Sequence, residues 1–127
     1  MDFDTLHFFE LQKHSDALPL YEALEGRILE EIPGVRIKVQ KSQITFYNKH
    51  LFACVSYVRV RKKAQLPPCY MVVTVGLARR VESPRIAVAT EPYPGRWTHH
   101  IVVSSLGEID DELMGWVKEA AAFAAAK

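Results

Sequence analysis

From Val35 to Tyr47 the apolar residues fall at alternate positions, Val35, Ile37 and Val39 and then Ile44 and Phe46, with Arg36, Lys38, Gln40, Thr45 and Tyr47 among them. A helix cannot gather such a pattern on one side, whereas a strand does so because successive side chains point to opposite faces. The stretch just before it, DALPLYEALEGRILEEIPG, runs on a different period, with Tyr21, Leu24, Ile28 and Ile32 on one helical stripe. Asp16 reads as the N-cap of that helix, Pro19 sits in the first turn where its missing N–H costs little, and Pro33-Gly34 stops it. A chain that changes period at Gly34 has to lay a helix against a sheet.

The rest of the chain extends this plan. KSQ and NKH are short polar connections, so LFACVSYVRVRKK is expected to fold back as a third antiparallel strand, with KKAQLPP as the loop beyond it. YMVVTVGLARR is almost continuously apolar and belongs at the centre of the sheet. Ser83-Pro84 ends it, RIAVAT is a weaker strand candidate, EPYPG is a loop, and THHIVVSS is a final strand. Ser105 and Glu108 have capping-box spacing ahead of a C-terminal helix, whose buried stripe is Ile109, Leu113, Trp116, Val117 and Ala120. A shorter amphipathic segment, Leu6 to Leu11, places Phe8 and Phe9 on the same core. The fold class is therefore α+β: one domain spanning residues 1–127, an antiparallel meander of about five strands, and N-terminal and C-terminal helices packed on one face.

Composition narrows the function classes. Sixteen Lys and Arg against fifteen Asp and Glu leave a formal charge of +1, so any basic site has to be local. The N-terminus lacks the basic start and unbroken apolar core of a signal peptide, and no apolar run approaches the ~20 residues of a membrane helix. Cys54 and Cys69 have no CxxC spacing and read as free thiols, which fits a cytoplasmic location.

The opposite parity of the strands shows Arg36, Lys38, Tyr47, Tyr57, Arg59, Arg61, Tyr70 and Thr74, a basic and aromatic face, while Cys54, Val58 and Val60 fall on the core parity. Adjacent His99 and His100 point to opposite sides of a strand and cannot readily share a metal ion, so neither metal nor cofactor is expected. His7, His14 and His50 read as solvated, and Trp97 as a packing anchor. No acidic residue lies on the four clear strands, and no GxGxxG or GxxxxGKS pattern is present to cradle a phosphate. No catalytic residue is assigned.

The order of LYEALEGRILE, KSQITFYNKHLFACV, VESPR, GRWTHHIVVSS and EIDDELMGWVKEA resembles the bacterial and archaeal domain of unknown function 5655 family over about Leu18 to Ala121. Some members of that family are labelled predicted transport proteins, and this sequence has no membrane span to match that label. The resemblance implies the fold and draws attention to Lys41, Phe46, Phe52, Pro84, Arg85, Arg96 and His100, which fall in its recurring blocks.

Taken together, Lys38, Lys41, Tyr47, Arg59, Arg85, Arg96 and His100 are the candidate binding residues for an anionic partner, either a nucleic-acid strand or an acidic peptide. Arg85, Arg96 and His100 are expected to converge at one end of the sheet. Two rival readings use the same face. In one, Val55, Val72 and Val102 make it a protein-interaction or homodimer surface. In the other, His100 and Arg96 serve an enzyme acting on a small anion.

Overall fold

The computed structural model describes residues 2–127. Helices α1 (Phe3–Leu11) and α2 (Leu18–Glu31) are followed by strands β1 (Arg36–Val39), β2 (Gln43–Tyr47), β3 (Leu51–Ser56), β4 (Met71–Leu77), β5 (Ile86–Tyr93) and β6 (Arg96–Val103), and the chain ends in α3 (Asp111–Ala125). The strands form one antiparallel sheet in the order β1-β2-β3-β4-β6-β5. The architecture is α+β as the periods require, with the weak candidate RIAVAT as the sixth strand, at the edge. The meander breaks in the last hairpin, where β6 and not β5 lies beside β4. The reason is burial: β6 offers His99, Ile101 and Val103 to the interior, whereas the second half of β5 is exposed.

The helices cover one face. Tyr21, Leu24, Ile28 and Ile32 of the α2 stripe are buried, as are Ile109, Leu113, Trp116, Val117 and Ala120 at the C-terminus. They meet Ile44, Phe46, Ala53, Val55, Met71, Val73, Val75 and Leu77 from the sheet. Phe8 and Phe9 of α1 join the same core, but Leu6 and Leu11 remain exposed.

Local details depart from the expected ones. Asp16 lies inside a 3-10 turn, Ser15–Ala17, and Ala17 takes the N-cap position of α2. The Ser105 and Glu108 capping box is formed, but on a 3-10 turn at Leu106–Glu108; the N-cap of α3 is Asp110, whose carboxylate accepts from the Leu113 N–H at 3.0 Å. The strand β3 differs most. A register shift at Phe46/Tyr47 places Leu51 opposite Tyr47 and Ala53 opposite Phe46, so one extra residue is accommodated and the parity beyond it is reversed. Val55 consequently faces the core, and Cys54 pairs with Thr45 and Thr74 on the other side of the sheet. β3 also ends at Ser56, so Tyr57, Arg59 and Arg61 leave the sheet and Val58 is exposed.

Candidate functional site

Across the face away from the helices, Lys38, Thr45, Cys54, Thr74, His100 and Val88 are successive register partners on all six strands. The middle of this row is built from small side chains packed closely enough to be nearly water-free: Thr45, Cys54 and Ser56 are all buried. Burial raises the pKa of the Cys54 thiol, against a smaller opposing effect of its hydrogen bond with Thr74, so the thiol is held protonated. Of the three valines expected to make the face adhesive, Val55 is in the core, Val72 is buried and Val102 is half-buried.

The two histidines point in opposite directions, as strand geometry demands. His99 is fully buried on the helix side, and its Nε2 accepts the Val81 N–H at 2.9 Å. Burial is the main cause that lowers its pKa, with Arg79 adding to the effect and Glu119 and nearby carbonyls opposing it. His100 lies on the other face with its Nδ1 2.8 Å from Thr74 Oγ1, and its pKa is lowered first by burial and then by His99. In both, the surroundings favour the neutral imidazole. Among the described residues no three His, Cys, Asp or Glu side chains gather as a metal site.

Arg85 does not join them. Its guanidinium donates to Asp110 at 2.8 and 3.1 Å, to Glu112 at 3.1 Å and to the Glu108 carbonyl at 2.5 Å, and lies 5.7 Å from the centre of the Trp116 ring. It stands at the start of β5, whereas Arg96 follows the turn that joins β5 to β6; Ile86 pairs with Ile101 and Tyr93 with Arg96. The two arginines are therefore roughly 20 Å apart along the hairpin at the rise of an extended strand. The expected convergence of Arg85, Arg96 and His100 does not occur, because Arg85 is consumed by the carboxylates of the α3 N-terminus. Arg96 does share a face with His100, and its guanidinium lies flat on β4: a Cβ at Gly76 would come within 2.7 Å of its Nη2.

The remaining sheet candidates are scattered along the rim. Lys38 is exposed on edge strand β1, about four strand spacings or ~19 Å from His100. Tyr47 is covered by Arg36, 4.9 Å from its ring centre, and Arg36 also donates to the Asn48 carbonyl. Lys41 is in the β1–β2 turn, where its carbonyl accepts from Gln12 of the α1 C-cap.

Arg59 belongs to a different place. After β3 the chain runs through Arg59, Arg61 and Lys63 to Pro67-Pro68 and returns at Tyr70, enclosing a cavity of about 610 Å3 against His14. His14 and Tyr57 stack face to face at 4.1 Å, and Tyr70 stands nearly perpendicular to both, at 5.1 and 5.3 Å. The Tyr57 hydroxyl donates to the Tyr70 carbonyl at 2.8 Å, closing the loop at its base. Burial raises the pKa of Tyr57 and of Tyr70 and lowers that of His14, where Asp16 works in the opposite direction. Among the described residues no carboxylate lines the cavity, the Asp16 carboxylate that acts on His14 and Tyr57 lying outside its lining. Among the described residues Arg27, Arg79 and Arg85 are paired with carboxylates, and Arg59, Arg61 and Lys63 are not. The run RVRKK holds four of the sixteen basic residues, but His14, which reads as a solvated turn residue, carries no local signal of its partnership with Tyr57. His50 is likewise engaged, its Nδ1 3.0 Å from the Ala124 carbonyl.

These features define a small α+β domain with a helix-covered antiparallel sheet and a basic, aromatic-walled cleft at one end. The family model described as Domain of unknown function (DUF5655) matches residues 8–124, and the chain belongs to that family. Neither a curated protein nor a solved structure matches it.

Proposed function

We propose that the domain is a noncatalytic binding module for an anionic partner, and that it receives this partner at the Arg59, Arg61 and Lys63 cleft. The observation that carries the reading is the charge arrangement: three cations surround a cavity that no carboxylate among the described residues lines, in a chain whose net charge is only +1. Unpaired guanidinium groups offer planar donors to phosphate or carboxylate, and a loop closed by Pro67-Pro68 and by the Tyr57 hydroxyl loses little freedom on binding. The cavity volume also lies within the range of ligand sites. The free thiols Cys54 and Cys69 accord with a cytoplasmic setting.

The test follows the thermal midpoint during titration with inorganic polyphosphate at low salt. The wild type and Arg85→Ala should both be stabilised, and joint replacement Arg59→Ala with Arg61→Ala should abolish the shift. Absence of a shift in the wild type, or its survival in the double variant, overturns the assignment.

A further inference from the structure

The cleft joins two surfaces of different chemistry, and that combination selects among anions. Arg59, Arg61 and Lys63 follow one another along a segment that leaves the sheet after Ser56, bends at Arg61 and enters a 3-10 turn at Lys63, and all three line the one cleft. Beside them are rings. His14 uses one face against Tyr57, no other ring is stacked on it among the described residues, and Tyr70 supplies a second plane at a steep angle. The acidic side chains of a peptide would satisfy the cations but offer no ring to set against these aromatics. A duplex satisfies the cations too, yet hides its bases from them.

Resting on the binding-module reading above, we infer that the cleft takes single-stranded nucleic acid, with phosphates on Arg59, Arg61 and Lys63 and a base set against His14 and Tyr70. Every base has a π-face, so this recognition is tolerant of sequence. Neutralising three phosphates gives a log–log salt slope near −2, at about 0.7 for each contact on a single strand.

Fluorescence anisotropy with a labelled mixed-sequence single-stranded oligonucleotide tests this, with the same sequence as a duplex, polyglutamate and inorganic polyphosphate as competitors. The single strand should compete best, and Arg59→Ala should flatten the salt slope by about 0.7. His14→Leu and Tyr70→Leu, each checked for an unchanged thermal midpoint, should weaken the oligonucleotide roughly five- to hundred-fold and leave polyphosphate unaffected. His14→Leu alone suffices if Tyr70→Leu does not fold. If polyphosphate or polyglutamate binds as tightly as the oligonucleotide and the ring variants change nothing, the nucleic-acid inference is overturned and the anion-binding reading stands. If duplex binds as well as single strand, base contact is excluded. If none of the four polyanions binds, both readings fall.

Discussion

Arg85 holds Asp110 with one guanidinium nitrogen placed 2.8 and 3.1 Å from the two carboxylate oxygens. Asp110 is also the N-cap of α3, so a residue at the start of β5 fixes the first turn of the last helix. The Asp110 carboxyl titrates below its usual range first because it accepts the Leu113 N–H and next because of the Arg85 hydrogen bond. The pair explains why Arg85 is unavailable to an external anion.

Arg85→Ala should cost about 1.5–3 kcal/mol, the scale of hydrogen bonds to a charged group in a half-buried setting. Chemical denaturation measures it. Arg85→Lys should recover only part of the loss, since an ammonium cannot reproduce the fork that reaches Asp110, Glu112 and the Glu108 carbonyl together. A fully stable Arg85→Ala would show that the α3 N-terminus is held by packing alone.

Trp116→Ala should destabilise by about 3–5 kcal/mol, because the indole is buried between the sheet and Arg85 and its removal leaves a large void. The loss should appear as a lower denaturation midpoint with an unchanged slope. Near-wild-type stability would mean that the helix had rotated to refill the space.

Stability should fall as the pH drops below about 6.5, with His99 and His100 contributing beside His14. All three have folded pKa values lowered by burial, so the unfolded chain binds more protons than the folded one between the folded and unfolded values. Their contribution is fully present above the ordinary histidine pKa of 6.5 and is lost as protonation of the unfolded state begins. His99→Gln should flatten the pH dependence of the thermal midpoint; an identical profile would assign the effect elsewhere.

Gly76→Ala should change stability by less than about 1 kcal/mol, because the added methyl meets only the far end of Arg96 and alanine recovers strand propensity lost at glycine. The Arg96 guanidinium should nevertheless leave the sheet surface, visible as a shift of its Nε–H resonance. An unmoved resonance would show that the backbone had given way instead.

Most elements were legible from local periods. The α2 stripe of Tyr21, Leu24 and Ile28, the alternation around Ile37 and Ile44, and the continuous run from Met71 to Leu77 each act within a few residues, and each packs as its period requires. The faces were legible only up to the bulge at Leu51-Phe52, because one extra residue reverses every side chain that follows it. The candidate site was less legible still. Sequence reading picked out Arg59 and the basic run around it, but assigned them to a strand that ends at Ser56.

By itself the sequence determined the class of fold, the central position of β4, the opposed directions of His99 and His100, and a local concentration of positive charge around Arg59. Those properties depend on patterns within one element. Tertiary structure decided which cations are neutralised: Arg85 meets Asp110 across 25 residues of chain, whereas Arg59 and Arg61 meet no carboxylate among the described residues. It also decided that His14 stacks on Tyr57, 43 residues away, to wall the cleft. The physical reason is that charge and aromatic pairing depend on which loops are carried to the same end of the sheet. Side-chain chemistry states what a residue can pair with, and only the packed chain supplies the partner.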